Sequence, residues 1–413
     1  MQVMAWFGLF VIILAACAPA VPTPTGTAPP GGEEAPSEEA DPTGQPTEAS
    51  SEDGGDITRE EDPFEGVNVR FNTEYWPNTD FSLHSVPYDE FLSGGPPPDG
   101  IPAIDNPKFV SVEEASEWIG DDWPVMLFEH GGDARAYPLA ILIWHEIVND
   151  VVGGEPVALT FCPLCNATIA FKRTLPDGTV LDFGTTGNLR KSDLVMYDRQ
   201  TDSWWQQFTG EAIVGEMTGT QLEFLPSQII AFEYFAEKYP HGDVLSRETG
   251  HNRPYGNNPY GGYDSINASP FAFQGETDDR LPPMERVVAV DLNEIDVAYP
   301  FSELEEVRVI NDEVGGEPIV VFWKSGTIST FGGSTEDTGS TGVFSREIDG
   351  QALTFEATQD GFLDQETETT WDLRGEGIDG PLAGEQLEQI ISAEHFWFAW
   401  AAFKPNTEIR TAG

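Results

Sequence analysis

The chain contains a shifted copy of part of itself, and this limits its fold more than any local pattern does. Ala136-Tyr137-Pro138-Leu139 recurs as Ala298-Tyr299-Pro300-Phe301. Asn149-Asp150-Val151-Val152-Gly153-Gly154-Glu155-Pro156-Val157 recurs as Asn311-Asp312-Glu313-Val314-Gly315-Gly316-Glu317-Pro318-Ile319, and both matches share an offset of 162. Across a small gap, Trp205 answers Trp371, Gly210-Glu211 answers Gly375-Glu376, and Gly219 and Leu222 answer Gly384 and Leu387. Self-similarity at a fixed offset predicts units of one fold. Two tandem units are therefore expected, 120–245 and 285–413, joined by a connecting loop over 246–284.

Each unit reads as a β-rich α+β module. Val125 to His130 is a strand, and Pro138 opens a short helix to about Trp144. Ile147-Val148-Asn149 and Val157 to Phe161 flank Gly153-Gly154 as a hairpin. Thr168 to Arg173 and Thr179 to Phe183 flank Pro176-Asp177-Gly178 as a second. Leu194 to Tyr197 and Gln221 to Leu225 are further strands, and Ile229 to Lys238 carries a helical pattern ended by Pro240. The head, 63–119, reads as irregular up to Ser111-x-x-Glu114, a capping-box start for a helix through Trp118.

The N-terminal part follows different rules. An apolar run from Ala5 to Leu14 ends in Leu14-Ala15-Ala16-Cys17, the pattern of a bacterial lipoprotein signal over 1–17, although no Lys or Arg precedes the run. Cys17 is then the lipidation site, and the protein is expected to be extracytoplasmic and lipid-anchored to the cell membrane. From Ala18 to Asp62 the chain is Pro, Thr, Ser, Gly and Glu with little apolar surface to offset ordering entropy, which predicts a disordered tether. With 71 acidic against 20 basic residues the net charge is −51. Nucleic acid is excluded as an expected partner, because phosphate binding needs clustered Lys and Arg.

Only three cysteines occur, and two stand in Thr160-Phe161-Cys162-Pro163-Leu164-Cys165-Asn166. Under the offset of 162, Cys162 faces Lys324, Cys165 faces Thr327, His145 faces Val307 and Glu146 faces Arg308. Chemistry confined to one copy of a shared framework predicts an active first unit and a structural second one. A C-x-x-C between two strands resembles a metal knuckle, in which the turn aims both sulfurs at one ion. A redox pair would instead open a helix, whose N-terminus lowers the thiol pKa. His145 and His251 are the candidates to complete a tetrahedral set with Cys162 and Cys165, with Glu146 and Asp193 as oxygen donors. Soft thiolates favour zinc or copper.

A second constellation is Gly184-Thr185-Thr186-Gly187-Asn188-Leu189-Arg190-Lys191-Ser192-Asp193, followed by Asp198 and Trp204-Trp205. Its glycines could cradle an anion with backbone N–H groups, and Trp204 could stack on a ligand. It reads equally as a polar turn and a strand with core tryptophans. Arg190, Asp193, Asp198 and Trp204 are thus candidate ligand-binding positions.

The runs Ala134-Arg135-Ala136-Tyr137-Pro138, His145-Glu146-Ile147-Val148-Asn149-Asp150, Cys162-Pro163-Leu164-Cys165, Leu189-Arg190-Lys191-Ser192-Asp193 and Arg253-Pro254-Tyr255 occur in order. Together they resemble the domain-of-unknown-function 3179 family. The resemblance implies the extent and importance of these segments and no activity. Three readings stay open: a Cys/His metal site, a thiol–disulfide oxidoreductase, and a non-catalytic ligand-binding or scaffold protein with a structural disulfide.

Overall fold

Val125, Met126, Leu127 and Phe128 are buried without interruption, as a strand covered on both faces requires. The computed structural model describes residues 56–331, 337–359 and 361–411. In it this run is the centre of β1 (Pro124–His130), which turns through Gly131-Gly132 into antiparallel β2 (Asp133–Pro138). A single helical turn, α1 (Leu139–Leu142), leads to β3 (Ile147–Val152), β4 (Glu155–Cys162) and β5 (Ala167–Lys172), adjacent antiparallel strands of a second sheet. A third sheet holds β6 (Phe183–Arg190), β7 (Asp193–Asp198) and β8 (Trp204–Gln206). The chain then returns as β9 (Gln228–Ala231) along β1, continues into α2 (Phe232–Lys238), and ends the segment with β10 (Asp243–Leu245), parallel to β2.

The second segment repeats this path with β11 (Arg286–Leu292), β12 (Ile295–Pro300), α3 (Phe301–Val307), β13 (Val309–Val314), β14 (Glu317–Lys324) and β15 (Ser340–Ser345). It continues through β16 (Phe355–Ala357), β17 (Phe362–Asp364), β18 (Thr370–Trp371), β19 (Ala393–Phe396), α4 (Trp397–Phe403) and β20 (Glu408–Ile409). The order β19-β11-β12-β20 has the same strand directions as β9-β1-β2-β10.

Buried polar contacts correspond as well. The Tyr137 hydroxyl donates to Asp150 at 2.6 Å, and Tyr299 donates to Asp312 at 2.8 Å. Asn149 brackets the Phe183 backbone, accepting from its N–H and donating to its carbonyl, and Asn311 treats Phe355 in the same way. Asp198 accepts from the Trp205 indole and the Thr201 N–H, as Asp364 does from Trp371 and Thr367.

The segments share two cores, and the second segment keeps a further one of its own around Val288, Tyr299 and Val321. Met126 and Phe128, on one face of β1, join a cluster that includes Phe161, Phe396, Trp397 and Phe403. Val125 and Leu127, on the other face, join one that includes Phe322, Phe344 and Trp371. The period-2 alternation of a strand thus sends one short run into two shared cores. Among the described residues, no helix is long and apolar enough to cross a membrane.

Several expectations need correction. Ile229 and Ile230 are strand, not helix, because the β-branched pair lies against β1 and the helix starts only at Phe232. Residues 179–182 form no strand: an isolated bridge, Thr174 to Val180, closes the Pro176-Asp177-Gly178 turn, and Phe183 begins a strand that pairs elsewhere. Gly184 to Arg190 is β-strand with a bulge at Gly187, not an anion cradle. Gly187 has φ 74°, and a Cβ there would lie 2.1 Å from the Pro96 carbonyl oxygen, so the glycine serves close backbone approach. The head is woven into the fold, with Phe91–Ser93 pairing against Asn188–Arg190. Thr58–Arg59 already pairs with Leu83–His84, inside the stretch expected to be tether. The signal region with Cys17, and the tether up to residue 55, lie outside the described residues.

If the paired asparagines are framework, both matter equally. Asn149→Ala and Asn311→Ala should each cost about 2–4 kcal/mol, since each strands a buried backbone donor and acceptor. Urea unfolding of the two variants measures this, and a loss confined to one of them contradicts the equivalence.

Candidate functional site

The two thiols are placed by the end of one strand and the turn after it. Cys162 is the last residue of β4, paired with Ala167 of β5, and the Cys165 N–H donates to the Cys162 carbonyl at 3.3 Å. Asn166 completes the turn at φ 52°, a conformation asparagine tolerates better than most residues. Both cysteines are free, and both are buried, Cys162 at 1% and Cys165 at 0% exposure.

The third member comes from another sheet. β6 and β7 are joined by Lys191 (φ 51°) and Ser192 (φ 73°). Two positive φ angles make the tight hairpin turn whose twist matches its strands, a turn that normally selects Asn-Gly. Lys and Ser hold it here at a cost of about 1–2 kcal/mol each. The turn sets Asp193 at the head of β7, where one carboxylate oxygen and both sulfurs lie within 4.8 Å of one another. The Cys162 thiol also points toward the Ser192 carbonyl at 3.9 Å.

Asp193 is completely buried and half satisfied. Its Oδ2 accepts from Gln206 at 2.7 Å and from the Phe208 N–H at 2.9 Å, while Oδ1 has no hydrogen-bond partner. Burial pushes its pKa up to about 7. Glu146, also buried, is pushed up to about 8 by burial and by Asp193. The same forces raise both thiols: burial first, then for Cys162 the nearby acids and for Cys165 the other thiol as well. Four proton-releasing groups thus sit together, and burial is the largest influence on each of them. The hairpin's two basic residues turn elsewhere: Arg190 donates to Glu90 at 2.7 Å and to Gln206, and Lys191 donates to the Ala402 carbonyl at 2.8 Å.

Residues 246–284 cover the site. The Tyr263 hydroxyl donates to the Leu164 carbonyl inside the C-x-x-C turn, and the Trp144 indole donates to the Asn257 carbonyl. Tyr260 and Tyr263 are held far above the ordinary phenol range by burial and by the neighbouring acids and thiols. The aromatic content of this loop is the signal that marks it as packed.

The remaining sequence candidates divide. His145 lies next to Glu146 but faces away: its Nδ1 bonds the Pro102 carbonyl at 2.7 Å and its Nε2 the Tyr255 hydroxyl at 2.6 Å. Burial lowers its pKa to about 4, so the ring is neutral. His251 is exposed, with its ring 5.4 Å from that of His145. Neither histidine contributes an atom to the thiol–carboxylate group. The physical reason is Glu146 at φ 59°, which reverses the chain after α1, so that consecutive side chains diverge. Arg308 has φ 64° at the equivalent position, so this reversal belongs to the shared framework. Asp198 is the framework acid under Trp205, and Trp204 is packed among Phe71, Trp76, Phe81 and Phe91. Arg190 acts on the site through Gln206, a residue that sequence reading left unassigned.

The pH dependence of the metal-free protein follows. The folded pKa values of Glu146 and Asp193 lie above their ordinary values of 4.5 and 3.8. Folding therefore binds protons, the stabilising contribution is complete below about pH 4, and it is lost as pH rises through 7 to 8. Thermal melts of chelator-treated protein should fall between about pH 5 and about pH 8. Asp193→Asn should flatten that slope, and a slope unchanged by the substitution contradicts the assignment.

A family model described as "Protein of unknown function (DUF3179)" matches residues 98–407. No curated protein and no solved structure matches the chain. The matched region holds the C-x-x-C turn, the β6–β7 hairpin, the covering loop and most of the second segment, and the chain belongs to the DUF3179 family.

Proposed function

We propose that the protein is a metal-binding protein whose centre is built on Cys162, Cys165 and Asp193, with the buried acid Glu146 nearby. The observation that carries this reading is the buried, unpartnered Oδ1 of Asp193 beside two free thiols. Buried acids either keep their protons or share a cation. A single divalent ion would offset two of the three negative charges of the deprotonated group and occupy the unsatisfied oxygen. Two sulfurs with carboxylate oxygen suit zinc before copper, since zinc accepts both donor types while copper(I) selects soft ligands alone. Asp193 takes the place in this reading of His145 and His251, the ligands expected from sequence.

Burial and raised thiol pKa values count against the thiol–disulfide oxidoreductase, because exchange needs an accessible thiolate. The structural-disulfide reading is separated by experiment. We further propose that the second segment arose with the first by duplication, and that Cys17 tethers the protein to the membrane outside the cytoplasm. The first rests on the matched buried contacts, the second on the Leu14-Ala15-Ala16-Cys17 pattern. In an oxidising compartment free thiols tend to pair, and a bound ion would hold this pair reduced.

The test is the metal content and free-thiol count of full-length protein purified without chelator. Near one equivalent of zinc is expected, absent in Cys162→Ser and Cys165→Ser and bound at least tenfold more weakly in Asp193→Asn. His145→Ala should keep its metal. Affinity should rise with pH, since the ion displaces protons. Absence of both metal and free thiols in the wild-type protein overturns the proposal in favour of a disulfide.

A further inference from the structure

A cleft opens between β5 and α4, on ground shared by the two segments. Its volume is about 360 Å³, and its walls include Ile169, Phe208, Phe224, His395 and Trp400. Volumes of this size are typical of small-molecule sites. His395 and Trp400 stack at 5.5 Å with planes 12° apart, and Phe208 lies 4.4 Å from His395, tilted by 32°. Flat aromatic walls take a planar guest by offset stacking.

His395 gives the cleft its polar feature. It is 2% exposed, and its Nδ1 is buried with no hydrogen-bond partner. Its place on β19 opposite Val287 corresponds to that of Ile230 on β9 opposite Val125. The shared framework therefore accepts an aliphatic side chain here, and the imidazole is particular to the second segment. Burial keeps the ring neutral, so one nitrogen donates and the other accepts. A hydroxyl can do either and suits both tautomers. Glu211 and Asp291 also line the cleft, and Lys404 is tied to Asp291 at 2.7 Å, so an anionic guest is disfavoured.

We propose that this cleft is a binding site for a small, neutral, planar aromatic molecule carrying a hydroxyl group, which stacks on the Phe208, His395 and Trp400 rings and bonds the His395 imidazole. The site does not use the thiols and stands independently of the metal reading. It adjoins that centre through Phe208, whose N–H holds Asp193.

Calorimetric titration of the full-length protein with 2-naphthol tests it, with 2-methylnaphthalene as the guest that lacks the hydroxyl. One saturable site for 2-naphthol is expected, at least tenfold tighter than for the hydrocarbon. His395→Phe should remove that difference while leaving hydrocarbon binding unchanged. Ser392→Trp, on the half-buried lining, should abolish binding of both. The proposal is overturned if 2-naphthol shows no saturable binding to the wild type, or if both guests bind equally. It is also overturned if Ser392→Trp, melting as the wild type does, binds unchanged, a result that decides the matter even where His395→Phe fails to fold.

Discussion

Two thiols and two carboxyls share one dry place in this protein, and the structure around them is arranged to keep them there. A carboxyl loses water on burial and recovers little from neighbours that are acids themselves, so its proton is held more tightly. Asp193 is braced on one oxygen by Gln206 and the Phe208 N–H and left open on the other. Gln206 is in turn held by Arg190, which keeps a cation one residue removed from the acids instead of among them. The turn at Lys191-Ser192 stores backbone strain to bring Asp193 in. Tyr263 ties the covering loop to the C-x-x-C turn. In the proposed reading, a shared cation would offset the cost of burying these acids together.

The two segments show how one framework serves different ends. The contacts they hold in common concern the backbone: Asn149 and Asn311 clamp an incoming strand, and Asp198 and Asp364 anchor a turn to an indole. The contacts that differ concern chemistry. Lys324 and Thr327 replace the thiols, and Thr327 bonds the Ser340 hydroxyl at 2.6 Å. The outer part of the β6–β7 hairpin, which carries Arg190 to Asp193, has no counterpart between β16 and β17. Yet the second segment is not inert, for it supplies His395 and Trp400 where the first has Ile230 and Phe235. It also contributes side chains to both shared cores.

What could be read from the sequence was what depends on near neighbours or on repetition. The C-x-x-C turn between two strands, the Gly153-Gly154 hairpin and the Ser111 cap are short-range features, and the cap appears as the Glu114 N–H donating to Ser111. The correspondence of Asn149 with Asn311 was legible because both copies print it. Asp193 as a partner of the thiols was named only as one oxygen donor among several, since its approach depends on a hairpin turn built from two residues that rarely make one. His145 faces away from the thiols, which adjacency in sequence cannot show where the left-handed Glu146 reverses the chain. Ile229-Ile230 was taken for helix because a short apolar run fits either element until its partner strand is known.

The central claim is that the thiols and Asp193 act together on one ion, and cobalt(II) substitution tests it most directly. Cobalt(II) takes zinc's place in tetrahedral sites, and its thiolate charge-transfer band reports how many sulfurs are bound. Adding one equivalent of cobalt(II) to reduced, metal-free protein should give a band of two-thiolate intensity. Cys165→Ser should abolish it, and Asp193→Asn should keep the band but shift the ligand-field bands. Reduced protein with both thiols titratable and no charge-transfer band on cobalt addition would contradict the account.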